Sequence, residues 1–561
     1  MHEWYYSAAD GQHRAILPQE AQDILKNLGV SGMASVSGPI TVFGDAERID
    51  YDFNLHLTDG ALRPENRSIQ FTNLTADVHV RPTQTELKSI TATRDDSTLI
   101  ASGIVHHAGA STDYDIKGQL ANLEVDADVV MSVEADQRAK VEMLKPSGRI
   151  DLDFNFTRAD SKTGWAFDVA PKSLRITPDF CPVPFDVTSG PAHITLGSVE
   201  LKEIVAQTGD TMLTLRGSLK ADQYLLSGNV TNVSIDSDFV RALPEALSQV
   251  TKTSAKGIVD VELRSVDWKS DITKLPASES LTVDAVATLR GVSMDLGVAV
   301  SELVGTAPIV AHSENGKLTS LVGTLSAPTL LVSGLNATDG QMKIESSESA
   351  RWINLKDIGF KFGGGEVAGS VTLDRSVADA TKYTGELLLR DAEVKQLTTE
   401  SDGTVEGRLS ASLTVGGTIG GAPARGRGDL SVTGKNMLQV PMLIGLTQMV
   451  SLSLPFTSGF DQAQASYVFD GGVVNFENVM LQSREMTIRG TGQMDFETRK
   501  LDMRFYTDSN TGKLPVIGSV LEAARRELFQ INVRGTLSEP TVKAGLLPTI
   551  GTSIDEVLGE K

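Results

Sequence analysis

Residues 114–130, YDIKGQLANLEVDADVV, and residues 224–240, YLLSGNVTNVSIDSDFV, are two copies of one block. Tyr114, Gly118, Asn122, Asp126, Asp128 and Val130 recur as Tyr224, Gly228, Asn232, Asp236, Asp238 and Val240. The apolar positions between them match in kind: Ile116, Leu120, Leu123 and Val125 against Leu226, Val230, Val233 and Ile235. Each copy runs through a short helix-like stretch to a glycine that opens a strand, Gly148 in the first and Gly257 in the second. A looser copy starts at Tyr383 and Gly385 and reaches Gly403. Self-similarity at a roughly fixed period predicts an architecture made by stacking one unit.

Alternation with period two predicts what the unit is made of. Ile150, Leu152, Phe154 and Phe156 alternate with Asp151, Asp153 and Asn155. Leu409, Ala411, Leu413 and Val415 alternate with Ser410, Ser412 and Thr414. Such strands have one apolar and one polar face, as in antiparallel sheet with one wet side. Turn signals fall at Asp59-Gly60, Ser189-Gly190, Asn315-Gly316, Asp339-Gly340, Gly363-Gly364-Gly365 and Asp470-Gly471-Gly472. Helices are expected over 17–28, 133–144 and 243–252. The predicted fold class is mainly β: a long, curved antiparallel sheet built of repeats, forming an open groove, with a few short helices. Residues 1–32 read as the end of a partial repeat unit, which leads to the expectation of repeats upstream. Residues 33–382 read as degenerate repeat units with breaks near 148 and 257.

Composition narrows the function classes. A net charge of −21 argues against nucleic acid, because phosphate binding needs clustered Lys and Arg. It keeps a long sheet soluble and self-repelling. The single cysteine, Cys181, lies among apolar residues and reads as a buried structural thiol. The most apolar long stretch, 437–456, is interrupted by Gln439, Pro441, Gln448 and Pro455, so it falls short of the about 20 apolar residues a span needs. No export signal is read at the start.

Motifs for chemistry are weak. His106 and His107 are adjacent, but neighbours in a strand point to opposite faces and cannot chelate one ion together. Asn510-Thr-Gly-Lys513 lacks the upstream glycine of a phosphate loop. Carboxylate pairs such as Asp95-Asp96 read as solvated loop in so acidic a chain. No catalytic, cofactor-binding or metal residue is assigned, and no enzyme activity is expected.

The last third carries a recognisable order of elements. An amphipathic stretch over 438–454 precedes 467–476, YVFDGGVVNF, and 488–495, IRGTGQMD. Then come 501–505, LDMRF, a second helix-like stretch over 519–528, and the closing 531–540, INVRGTLSEP. This order resembles the C-terminal module of the AsmA-like envelope proteins, with the closing Gly-Thr-Leu-x-x-Pro as its most specific piece. The likeness places an AsmA-like module at 383–545, followed by a short tail at 546–561. It implies a groove-shaped sheet in the cell envelope and periplasm of diderm bacteria, associated with a membrane through a segment or partner absent from this chain. It implies movement of phospholipid between inner and outer membranes in support of outer-membrane biogenesis, with components of both membranes as partners. No oligomeric state follows from it.

The expected groove lining is Ile150, Leu152, Phe154, Phe156, Val259, Val261, Leu263, Leu413, Val415, Tyr467 and Phe469, with Asp151, Asp153 and Asn155 facing water. The alternative is a non-enzymatic structural or assembly scaffold for outer-membrane proteins, which would fill the same face with its own side chains. A polysaccharide-active enzyme is a third class; clustered carboxylates and aromatics would mark it, and aromatics are 5% here.

Overall fold

The computed structural model describes residues 2–7, 29–42, 49–63, 68–108, 111–133, 135–160, 162–179, 181–220, 222–242, 255–271, 278–295, 299–346, 350–376, 381–397, 407–419, 423–434, 460–484, 486–495, 498–509, 530–536 and 539–545. Strand dominates, and the pairings between strands are antiparallel. Among the described residues four short helices accompany them: α1 (Ala127–Ser132), α2 (Ala135–Glu142), α3 (Asp238–Ala242) and α4 (Val394–Leu397). The chain divides into two compact units, one of Met1–Ser248, Asp260–Ala285 and Glu314–Gly316, the other of Gln249–Val259, Val286–Ser313 and Lys317–Lys561.

In the first unit most strands pair with the ones before and after them. Phe53–Leu62, Phe71–Arg81, Gln84–Arg94, Ser97–Ala108, Ser111–Val125, Gly148–Ala159 and Lys162–Pro171 form one such ladder. The second unit repeats the pattern from Lys317–Val332 through Trp352–Phe362, Lys382–Glu393 and Gln462–Asp470 to Pro540–Gly545. Lys382–Glu393 pairs with Gly365–Asp374 on one side and Arg408–Thr418 on the other, so the ladder runs on through 382–383. Among the described residues the sheet does not close into a barrel.

The repeated block is a bulge held from two sides. Asn122 and Asn232 both adopt left-handed backbone inside strands, at φ 59° and 57°. The Asn122 N–H donates to Asp151 Oδ1 at 2.7 Å, and its carbonyl accepts from Ser97 Oγ at 3.0 Å. In the second copy the Asn232 N–H donates to Asp260 Oδ1 at 2.8 Å, and its carbonyl accepts from Thr211 Oγ1 at 3.3 Å. Ser97 and Thr211 are both buried, so each hydroxyl needs such a partner. The looser copy keeps the device with other residues: Asp391 at φ 54°, its N–H on Ser410 Oγ and its carbonyl on Arg408. Asparagine and aspartate tolerate this conformation better than other L-residues. A bulge bends its strand and increases the local twist. The Asn122 N–H, then Lys172, holds the Asp151 carboxyl below its usual range.

After the block the chain turns into a helix. The Asp126 side chain caps α1 through the Val129 N–H at 3.0 Å, and Ser237 does the same for α3 through Val240. The expected helix at 133–144 is therefore corrected. Within that range the helix is shorter, α2 over Ala135–Glu142, and a separate helix, α1, precedes it and ends at an extended Val133. The expected helices at 17–28 and 243–252, the stretches at 438–454 and 519–528, Asn510–Lys513 and the tail 546–561 lie outside the described residues.

Two expected turns are also corrected. Asp59-Gly60 lies within Phe53–Leu62 and Asp339-Gly340 within Leu335–Ser346, each with its Asp at positive φ and a register shift nearby. Both are bulges. Asn315-Gly316 and Gly363-Gly364 do turn the chain between strands.

Candidate functional site

Reading the ladder across strands puts the apolar residues of each unit into continuous rows. Residues directly opposite each other in an antiparallel pair project from the same face. In the first unit Ala34 faces Leu57, Leu57 faces Ala76, Ala76 faces Ile90 and Ile90 faces Ala101. The row continues through Gly118, Phe154, Phe167, Ile194, Val199 and Leu219 to Tyr224. Two residues along the strands, or three where a bulge lies between Ile90 and Leu87, a second row runs from Val36 through Leu55, Val78, Leu87, Gly103, Ile116 and Phe156 to Trp165. On the other side of the first, Leu99, Leu120, Leu152, Val169, Ala192 and Leu201 form a third.

The second unit has the same construction. One row runs Leu355, Val371, Gly385, Val415, Gly426, Phe469, Val474 and Met494 to Leu501. The next runs Leu387, Leu413, Gly428, Tyr467, Phe476, Gly492 and Met503 to Val533. A third joins Ala411, Leu430, Ala465, Val479, Gly490, Phe505 and Ile531.

Glycines in these rows sit opposite large rings. A Cβ on Gly118 would lie 2.5 Å from the Phe154 ring, one on Gly426 2.5 Å from Phe469, one on Gly428 2.6 Å from Tyr467, and one on Gly490 2.3 Å from Phe505. Each ring lies across the strand where a side chain is missing, which is why glycine is tolerated in the interior of these strands. Aromatic contact continues along the first unit: Phe154 to Phe156 at 5.4 Å, Phe156 to Phe167 at 5.6 Å, and Trp165 to Phe167 at 5.2 Å between ring centroids.

Burial grades across the apolar face of each unit. At one margin it is dry: Leu99, Leu120, Leu123 and Ile150 belong to a buried cluster against which Val129 of α1 packs. Phe505, Ile531 and Val533 form the corresponding dry cluster of the second unit. Towards the other margin the residues are half-buried, as at Ile116, Trp165, Phe469 and Val474, and Phe156 is 36% exposed. The apolar face thus has a closed side and a half-exposed side, although Val80 and Val105 beyond the Phe156 row of the first unit are buried.

The structure distributes the expected lining residues along this gradient. Ile150 is buried, while Leu152 and Phe154 pack against the same cluster from half-buried positions. Phe156 is at the open side. Leu413, Val415, Tyr467 and Phe469 occupy neighbouring rows of the second unit and are half-buried. Val261 and Leu263 pack against buried Val230, Val233 and Val240, and Val259 is half-buried. Asp153 and Asn155 are exposed, and Asp151 is half-buried where it holds the Asn122 bulge. The cross-strand rows and the glycine–ring pairs were missed by sequence reasoning. The only local trace is a glycine recurring at the same phase as the apolar residues.

The opposite face is polar and cross-linked by ion pairs. Arg175 pairs with Asp186 at 2.6 Å, Lys343 with Asp357 at 2.8 Å, and Arg425 with Asp470 at 2.9 Å. His56 and His193 face Asp77 and Asp168 at 2.6 and 2.8 Å. Hydrogen bonding by Arg175 holds the Asp186 carboxyl below its usual range, and Lys343 does the same for Asp357. Exposed pairs of this kind contribute little to stability individually. They keep one side of the sheet wet.

Asp96, singled out in the sequence as half of a carboxylate pair, binds Arg149 at 3.1 Å and accepts from Asn122 on its backbone carbonyl. Cys181 is buried, which pushes its thiol pKa up. Among the described residues no group of three or more His, Cys, Asp and Glu could hold a metal ion, and no helix is long and apolar enough to cross a membrane. No family model, curated protein or solved structure matches the chain.

Proposed function

We propose that the apolar face of this sheet holds the acyl chains of phospholipid and lets lipid pass along it, in an AsmA-like protein of the bacterial cell envelope. The observation that carries the reading is the half-exposed part of the apolar rows, where Ile116, Phe156 and Trp165 in one unit, and Phe469 and Val474 in the other, lie in register on neighbouring strands. Each CH₂ sheltered there would contribute about 0.8 kcal/mol. Successive strands present similar side chains at similar spacing, so a chain could slide without a large barrier and without nucleotide hydrolysis in this polypeptide. On this reading the protein is not an enzyme. It works in the periplasm in association with a membrane, and meets components of both membranes while supporting outer-membrane biogenesis.

The dry margin favours a second reading. Phe505, Ile531 and Val533 are covered by the protein's own side chains, as a purely structural scaffold would require. The two readings separate on the open margin alone. Purification without detergent, followed by native mass spectrometry and lipid extraction, is the test. Bound phospholipid is the expected result. A lipid-free protein that takes up none from vesicles would leave the scaffold.

A further inference from the structure

Beyond Phe156 the apolar face of the first unit ends in one more row, Phe53, Val80, Thr85, Val105, Tyr114, Arg158 and Thr163, in which Val80 and Val105 are buried. Arg158 lies two residues past Phe156 on the same strand, directly opposite Tyr114, so it projects from the apolar face. It is the one charged side chain in the four rows described for this unit. The ion pairs named above are all on the other face.

Its surroundings leave it unsatisfied. The Arg158 Nε is buried and has no hydrogen-bond partner, and no carboxylate among the described residues pairs with it. Along the same margin the His107 ring donates to or accepts from Thr85 Oγ1 through Nε2 at 2.9 Å, while its Nδ1 is buried without a partner. A buried polar atom left without a partner costs free energy, so its persistence calls for an explanation. The stem of an arginine can lie on apolar surface while its planar fork reaches the edge. A guanidinium so placed matches the oxygens of a phosphate in a two-pronged contact.

The repeat supplies an internal contrast. Tyr224, the second-copy equivalent of Tyr114, stacks on Trp268 at 4.5 Å between ring centroids. The Trp268 Nε1 donates to Glu279 at 2.7 Å. A partnered aromatic therefore stands beside the tyrosine of one copy, where the other has a cation without a carboxylate. The chain carries a net charge of −21, so an anion would be repelled unless a local cation offset the field.

We propose that Arg158, with Tyr114 directly opposite it across the strand pair, is a subsite for the phosphate of a lipid headgroup whose acyl chains lie along the rows through Phe156 and Phe154. This rests on the lipid-binding reading above. The same chemistry would accept free phosphate, and the test separates the two sources.

The full chain is titrated with three probes: a short-chain phosphatidate, the uncharged diacylglycerol with the same acyl chains, and inorganic phosphate. Binding is followed by native mass spectrometry for the wild type, Arg158→Gln and Arg158→Lys. The expected result is phosphatidate bound at least about tenfold more tightly than diacylglycerol by the wild type, a preference of about 1.4 kcal/mol. Arg158→Gln should abolish the preference and leave diacylglycerol binding unchanged, which also shows that the variant is folded. Arg158→Lys should retain part of it. Inorganic phosphate should bind far more weakly than phosphatidate. Equal binding of the two lipids by wild type and Arg158→Gln would overturn the subsite and leave the apolar surface standing. Phosphate bound as tightly as phosphatidate and lost in Arg158→Gln would overturn the lipid headgroup as its source. Failure of both lipids to bind the wild type would overturn the lipid-binding reading and the subsite with it.

Discussion

Phe156→Glu is expected to remove phospholipid loading from the first unit while the protein stays folded. Phe156 is 36% exposed at the open margin, so a carboxylate there can reach water in the empty protein. With acyl chains against the same row the charge would be desolvated without a partner, which costs several kcal/mol. Loss of loading by at least about tenfold follows, since 1.4 kcal/mol already gives that factor. The same change one step inwards should act differently. Phe154 covers Gly118 and packs on the buried cluster around Leu120 and Ile150. Phe154→Glu is therefore expected to unfold its surroundings, as is Val261→Arg against Val230 and Val233. Circular dichroism and lipid recovery on the three variants check this together. A folded Phe156→Glu with undiminished loading would contradict the placement of lipid on this face.

Phe505→Ala is expected to cause the largest loss of stability in the second unit. The ring is fully buried, sits over Gly490, and touches a cluster that includes Ile488, Ile531 and Val533. Truncating a buried phenylalanine costs about 3–5 kcal/mol, through lost transfer free energy and the cavity left behind. A stacked sheet need not unfold in one step, so a single melting temperature is a poor measure. Hydrogen exchange resolved by strand is better. Met486–Asp495 and Lys500–Ser509 should lose protection strongly, while Gly148–Ala159 in the first unit keeps it. Unchanged protection in the first two strands would contradict a dry core at this margin.

The fold class was legible because its signal is local. Alternation at 150–156 and 409–415 has one period, and each strand carries it independently of its neighbours. The repeated Tyr-to-Asp block was legible as a repeat, but its purpose was not. That Asn122 and Asn232 adopt left-handed backbone, each with its N–H on an aspartate from the next strand, depends on pairing across 29 and 28 residues. The misplacement of Asp59-Gly60 and Asp339-Gly340 has the same origin. An Asp-Gly pair supports positive φ in a hairpin and in a bulge alike, and only the register of the neighbouring strand distinguishes them. For the candidate site, which residues share a face was legible from phase, whereas their burial along that face was not. Ile150 and Phe156 have the same phase and opposite exposure because other elements cover only one end of the strand. Arg158 follows the same phase as Phe156, but no local pattern separates an inward arginine from the many outward ones.

The most direct measurement uses a phospholipid with a photoreactive group at the end of an acyl chain, loaded into the full protein and cross-linked in place. Mapping the adducts tests the central claim that lipid lies on one face of the sheet. Adducts are predicted at inward residues of the open margin, Phe156, Trp165, Tyr467 and Phe469, and not at Asp153, Asn155, Ser466 or Val468. Val468 is the informative control, because it is apolar and 36% exposed yet projects from the polar face between Tyr467 and Phe469. Labelling confined to the first set is the predicted result. Labelling of Val468 and Asn155 as strongly as Tyr467 and Phe156 would contradict the account.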